Sequence, residues 1–241
     1  MPWKRALALL IILTPLYAAF SQAAQAAEMP QTFNNEYSTR VFGFNLTVKH
    51  QLSNLGNGEH RLHFLAKTWF ASIEEITEFT WGEDGKVDPL RYSYKRRGLG
   101  RNRDRQLEFD WDSGIVTNVL ENTSWDMDTS KHVQDPLSYQ VQLQRDLIDG
   151  RENLSYQIAN NGGLREYSFE VVDEEVLETP LGKVNTVKVM RSRKNHDRVT
   201  YAWLAKDWDY LLVRLQQQED GDSHTISITK AELNGERIKR F

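Results

Sequence analysis

Cysteine is absent from the 241 residues. That absence excludes disulfides, thiol nucleophiles and cysteine-based metal sites, and with them acylation of a cysteine at a leader cleavage site. Recognisable catalytic loops are missing as well. No GxSxG, HExxH or Walker motif occurs, and GLG at Gly98 lacks the third glycine of a dinucleotide fingerprint. Long apolar runs are scarce: ALALLIILTPLYAAF, from Ala6 to Phe20, is short for a membrane span and contains Pro15. No fixed-period repeat and no linker-like stretch divides the remainder. One domain is expected, and no cofactor.

The apolar run has the flanks of an export signal. Lys4 and Arg5 precede it, and SQAAQA follows with Ala24 and Ala26 at the spacing a signal peptidase needs. Residues 1–26 are therefore expected to be cleaved. A single domain would remain over residues 27–241, exported and without a membrane span. Lys and Arg total 30 against 34 Asp and Glu; the signal removes two bases and no acids, leaving 28 against 34, or −6. Such a balance argues against nucleic acid as a partner.

Beyond the signal, a period of two dominates. In VFGFNLTVKHQL the positions Phe42, Phe44, Leu46, Val48 and Leu52 share one parity, as a strand with one buried face requires. Further runs of this kind are RLHFLAKTW, ITEFTW, PLRYSYK, RQLEFDW, IVTNVL, NLSYQIA, LREYSFEVV, KVNTVKVMRS, RVTYAWLA, DYLLVRLQQQ and HTISITKAEL. Turn-rich separators such as NLGNGEH, WGEDGKVD and DSG lie between them. About eleven strands joined by short turns predict an antiparallel meander rather than βαβ units.

One segment breaks the rule. DPLSYQVQLQRDLIDG, Asp135 to Gly150, alternates at Leu137, Tyr139, Val141 and Leu143, yet it begins with an Asp-Pro start and ends on Gly150. Leu137, Val141, Leu147 and Ile148 follow a helical face, and helix is the favoured reading. A curved sheet that stops short of closing leaves a concave apolar face and two edges. An amphipathic helix on that face would cover part of it. The expected fold is thus mainly β: an incomplete barrel with one helix packed on its concave side.

The order of five motifs resembles the exported bacterial family called "domain of unknown function 3108". They are GKVDPLRY (Gly85 to Tyr92), FDWDSGIVTN (Phe109 to Asn118), DPLS at Asp135, TPLGKVNTVKV (Thr179 to Val189) and AWLAKDWDYLLVRL (Ala202 to Leu215). The resemblance implies an antiparallel β-rich domain in the periplasm. More loosely, the pattern resembles the lipoprotein carriers LolA and LolB, whose incomplete barrels hold acyl chains beneath helices. The chain departs from them in having one credible helix, which argues against a large lipid cavity.

Candidate chemistry divides into three groups. The aromatic pairs Phe79 and Trp81, Tyr92 and Tyr94, and Tyr201 and Trp203 each share a strand face. With Phe64, Trp69, Leu137 and Val141 they are either core or the wall of a ligand cavity. The run KRRGLGRNRDR holds six bases, Lys95, Arg96, Arg97, Arg101, Arg103 and Arg105, against Asp104. It reads either as a hairpin tip meeting anionic lipid, lipopolysaccharide phosphate or an acidic partner, or as a solvated loop that discourages aggregation. The pairs Asp110/Asp112, Asp126/Asp128 and Asp207/Asp209 have the spacing of paired acid–base catalysts, but they border turns where aspartate caps backbone N–H groups. His60 and His63 face opposite sides of a strand and cannot share a metal.

Three functions follow in order of preference. The first is a non-enzymatic periplasmic carrier for an apolar or acyl-bearing client (a lipid or lipoprotein) in envelope assembly or transport. The second is an interaction protein, an assembly factor or inhibitor, docking on another envelope protein through the basic tip or a sheet edge. An envelope hydrolase comes third.

Overall fold

On β2 (Phe44–Gly56) Val48, His50 and Leu52 are buried while Thr47, Lys49 and Gln51 are exposed, so the alternation in the sequence becomes two chemically distinct faces. The same logic builds the whole molecule. This computed structural model describes residues 32–241 apart from 42, 99, 129, 130, 161, 194 and 195. The expected signal segment 1–26 and Phe42 lie outside the described residues.

Fifteen strands and one α-helix are present among the described residues, with a 3-10 turn at Lys206–Trp208. The first half contains β1 (Phe33–Val41), β2, β3 (Glu59–Lys67), β4 (Ser72–Trp81), β5 (Val87–Arg97), β6 (Arg103–Asp110), β7 (Ile115–Asn118) and β8 (Thr123–Asp126). After α1 (Tyr139–Ile148) come β9 (Leu154–Ala159), β10 (Leu164–Thr179), β11 (Gly182–Arg193), β12 (His196–Ala205), β13 (Leu211–Glu219), β14 (Asp222–Leu233) and β15 (Glu236–Ile238). The count exceeds the expected eleven for two reasons. Short β8 and β15 carry too few residues to show a period, and VFGFNLTVKHQL is the end of one strand and most of the next. Gly43, at φ +81°, turns the chain between β1 and β2. Other hairpins use Asp220–Gly221 and Asn234–Gly235, where both residues take positive φ as a two-residue turn requires.

The sheet is two antiparallel meanders joined edge to edge. Its order runs β8 to β1, then β14 to β9, with β1 and β14 paired. The two ends of the described chain therefore meet in the middle of the sheet, and its two free edges, β8 and β9, are consecutive strands flanking the helix. The sheet does not close. One apolar core takes residues from both meanders, including Leu62, Phe79 and Leu107 from the first and Val184, Val213 and Ile228 from the second, with Leu137 and Val141 of the helical segment. A second cluster joins Leu143 and Leu147 of the helix to Ile158, Val187 and Leu204.

The helical segment also covers an edge. Gln134 pairs with β9 as an isolated parallel bridge, its N–H donating to Gln157 O and its carbonyl accepting from Ala159 N–H at 2.8 Å each. One side of the gap is thereby hydrogen-bonded rather than left as a template for another chain.

Candidate functional site

The start of the helical segment is fixed by a reciprocal box. Asp135 Oδ1 accepts the N–H groups of Leu137 at 2.7 Å and Ser138 at 2.8 Å, while Ser138 Oγ accepts the N–H of Asp135 at 2.9 Å. Asp135 caps as its Asp-Pro context predicts, although regular helix begins three residues beyond Pro136, at Tyr139. Thr77 Oγ1 on β4 donates to the other carboxylate oxygen, which ties the cap to the sheet.

Polar side chains then bolt the helix down on three sides. Val87 N–H donates to Gln142 Oε1 at 2.8 Å, and Gln134 Nε2 donates to Val87 O at 2.7 Å, so both backbone groups of one β5 residue are held by the helical segment. Gln142 Nε2 and the Tyr156 hydroxyl of β9 both donate to Asp146, at 3.0 and 2.9 Å. Gln144 Nε2 donates to Asp209 O, in the turn before β13, at 2.6 Å. A helix anchored at β5, β9 and that turn is a fixed roof rather than a swinging lid.

Beneath it lies a cavity of about 330 Å³ between the helix and the concave face. Its walls come from both meanders: Phe33, Val48, Leu62 and Phe64 on one side, Val189, Ala202, Leu204 and Leu215 on the other, with Leu137, Val141 and Leu143 above. That volume is at the small end of the range for small-molecule sites, about 300–1,000 Å³.

A few polar groups interrupt this apolar wall. Glu75 on β4 is half-buried on the cavity wall and accepts the Tyr92 hydroxyl at 2.6 Å. Burial pushes its carboxyl up to about 7, against the opposing effect of the Tyr92 bond, and the nearby Asp135 carboxyl adds to the rise. Asp135 is itself pushed up to about 6 by burial, in spite of its three hydrogen bonds. His50 sits between the Phe33 and Phe64 rings, whose centroids are 5.0 and 6.3 Å away. Burial lowers its pKa to about 4, so its imidazole is neutral at pH 7, and its Nε2 has no partner. On the opposite wall the Arg191 guanidinium lies 4.4 Å from the centre of the Tyr167 ring. One side of the cavity thus carries a carboxyl poised near neutrality and the other a permanent cation.

The expected ligand-wall residues are distributed unevenly. Phe64, Leu137 and Val141 line the cavity. Phe79 and Tyr92 are fully packed in the core beside it, Trp81 packs edge-on against Phe79, and Tyr94 is half-buried against the same core. Tyr201 and Trp203 alternate with Ala202 and Leu204 and do not line the cavity: Trp203 is buried in the first core cluster, and Tyr201 packs half-buried against it. Lys188 lies over both rings, and Trp203 Nε1 donates to Glu175 at 2.7 Å. Trp69 is 81 % exposed at the turn between β3 and β4.

The basic residues form the β5–β6 hairpin tip. Arg97 pairs with Asp104, Arg96 donates to Arg101 O at 3.1 Å, and Arg105 reaches Asn160 at 2.7 Å. On the same ladder Lys95 lies opposite Asp104, and Arg96 opposite Arg103.

Within the aspartate pairs, Asp110 caps a turn, and Asp128 and Asp207 make side-chain contacts. Asp110 accepts the N–H groups of Asp112 and Ser113, Asp128 pairs with Lys131, and Asp207 accepts from Asn185 Nδ2. His60 stacks on Phe79, whereas His63 bonds Glu74 on the other face. Among the described residues no group of three or more His, Asp or Glu is placed to hold a metal, and no helix is long and apolar enough to cross a membrane.

Comparison with known proteins gives two matches. The family model described as "Protein of unknown function (DUF3108)" matches residues 62–229. A crystal structure of a β-barrel-like protein of domain of unknown function DUF1849 from Brucella abortus superposes with a TM-score of 0.53 at 10 % identity. The match covers 86 % of this chain and 99 % of that one, and at such identity it speaks for the fold alone. No curated protein matches the chain.

Proposed function

The chain belongs to the DUF3108 family, whose description assigns no activity, and from the geometry above we propose that it is a non-enzymatic binding protein for a single-chain amphiphile. The observation that carries this reading is the preformed cavity of about 330 Å³ under an immobile helix, apolar on most of its wall and polar at a few fixed points. A cavity with convergent polar groups and perturbed carboxyls is the usual mark of a ligand site. The size fits one acyl chain or a compact apolar molecule and is small for a multi-chain lipoprotein anchor. Arg191, fixed by its contact with Tyr167, would meet an anionic or hydrogen-bond-accepting head.

An exported, periplasmic setting is part of the proposal and rests on the signal-like residues 1–26. Service in envelope assembly or transport would follow from that address. Glu75, the carboxyl nearest neutrality, is hydrogen-bonded to a tyrosine rather than to a nucleophile or a second acid, which favours binding over hydrolysis.

The test is displacement of a fluorescent fatty-acyl probe, together with mass spectrometry of molecules that co-purify with the protein. Saturable binding at one site, abolished by Leu215→Trp on the cavity wall, is the expected result. Absence of probe binding in the intact, folded protein, or binding that Leu215→Trp leaves untouched, would sink the reading.

A further inference from the structure

Three turns meet at one rim of the sheet. The register pairs Val41 with Phe44, Thr47 with Lys67, Lys67 with Ser72, Ser72 with Arg97, and Arg96 with Arg103. The turns after β1, β3 and β5 are therefore side by side. The first two bring large apolar groups into water: Phe44 is 43 % exposed, Trp69 81 % and Phe70 42 %. They form one cluster, with ring centroids 5.1 to 6.1 Å apart. The third turn is the basic tip.

The two kinds of turn are built into each other. Gly98, at φ +74°, lies so close to the β3–β4 turn that a Cβ there would come within 2.0 Å of Phe70 O. Thr68 fixes that turn in its place: its Oγ1 accepts the N–H of Ala71 at 3.0 Å, and its own N–H donates to Ala71 O at 2.9 Å. Trp69 is thus presented on a rigid turn, so burying it costs little conformational entropy. Phe44 also shares strand parity with Val48 and His50, which line the cavity, and stands beyond them toward the rim.

We infer that the aromatic and basic turns at this rim form a docking surface for an anionic phospholipid bilayer. Trp and Phe side chains settle at the headgroup level of a membrane. Lys95, Arg96 and Arg101 beside them supply the attraction to negative phosphates, in a protein whose overall charge is acidic. An exposed indole beside a local excess of bases is complementary to the headgroup level and the phosphates of an anionic bilayer. The acidic turn Glu219–Asp222 between β13 and β14 lies on the far side of β1 at the same rim, which sets the basic arc from β1 to β6 apart from its neighbour by sign of charge. The inference stands on the rim alone and does not depend on what fills the cavity.

The experiment is co-sedimentation of the folded protein with phosphatidylcholine vesicles, with and without phosphatidylglycerol. The wild type should bind the phosphatidylglycerol vesicles preferentially, and salt should weaken the binding. Trp69→Ala should lower the partition coefficient about tenfold, the scale of one large aromatic removed from an interface. Lys95→Ser with Arg101→Ser should abolish the preference for anionic lipid, while thermal melting confirms that both variants fold. Leu215→Trp should bind vesicles like the wild type, which separates this inference from the fate of the cavity reading. Wild-type protein that binds neither vesicle, or Trp69→Ala that binds as well as the wild type, overturns it. So does dependence on these residues for contact with a protein in delipidated extract but not with lipid.

Discussion

The hydroxyl of Tyr92 on β5 donates to Glu75 Oε2 on β4 at 2.6 Å, inside the hollow of the sheet. Each group perturbs the other. Burial and the adjacent carboxyl push the tyrosine well above its ordinary range, while the carboxyl, raised to about 7 chiefly by burial, titrates near physiological pH.

The contribution of Glu75 and Asp135 to stability should therefore fall as pH rises through the acid range, against the opposite contribution of the buried, neutral His50. A carboxyl whose pKa is higher in the folded than in the unfolded chain keeps its proton longer when folded. The folded state binds more protons between the two values, so unfolding free energy declines across that interval. For Glu75 the interval runs from 4.5 to about 7, and for Asp135 from 3.8 to about 6. Glu75→Gln keeps an acceptor for Tyr92 and removes the titration. It should flatten the profile and raise stability at pH 8, by on the order of 1–3 kcal/mol. Urea melts of both proteins between pH 4 and 8 give the measurement; a difference between the two profiles that does not change with pH would contradict the assignment.

The helix anchors should prove unequal. Gln142→Ala strips the partner from a buried Val87 N–H and one donor from Asp146, and should cost about 2 kcal/mol. Arg145→Ala removes only an exposed i,i+4 pair with Asp149 and should stay within about 0.5 kcal/mol. Denaturant midpoints of the two variants, at equal m-value, test the contrast.

Two glycines of the basic tip separate strain from collision. Gly98 and Gly100 both have positive φ, at +74° and +71°, but only Gly98 has backbone against the position of its missing Cβ. Gly100→Ala should cost about 1 kcal/mol, the strain of a left-handed residue. Gly98→Ala should cost at least about 2 kcal/mol and should move Trp69, because the two turns can no longer touch. Indole side-chain signals in NMR spectra, read beside thermal melts, distinguish the two outcomes.

Much of the architecture was written in the period of the strands, and part of the site was too. The alternation marks the buried face from Val48 to Leu52, with Leu46 half-buried and Phe44 exposed where the strand reaches the rim, and His50 fills the one slot where that parity turns polar. Glu75 gives the same signal, an acid in phase with Ile73, Thr77 and Phe79. A titratable residue on the apolar parity was the legible mark of the cavity, and aromatic content was the misleading one. Large rings fill space, so Phe79 and Tyr92 close the core, whereas the hollow remains where Ala202 and Val48 are small. Pairing between β1 and β14, which brings Arg191 opposite Glu75, joins residues some two hundred positions apart and leaves no local trace.

Neighbouring positions on β12 should give opposite results in ligand binding. Ala202 faces the cavity, with Thr200 and Leu204 on the same parity. Tyr201 faces the other side, where Lys188 lies 4.7 Å from its ring centre. Ala202→Phe adds a ring to a space of about 330 Å³ and should abolish binding of an acyl probe. Overpacking should cost about 1–3 kcal/mol, less if the ring fills existing void. Tyr201→Ala removes a larger group and a cation–π contact, yet should leave probe affinity unchanged while lowering stability by about 1–2 kcal/mol. Probe titrations on both variants, at a temperature where each is folded, decide the matter. Equal loss in the two would place the ligand outside the cavity, because only Ala202 shares a surface with that space.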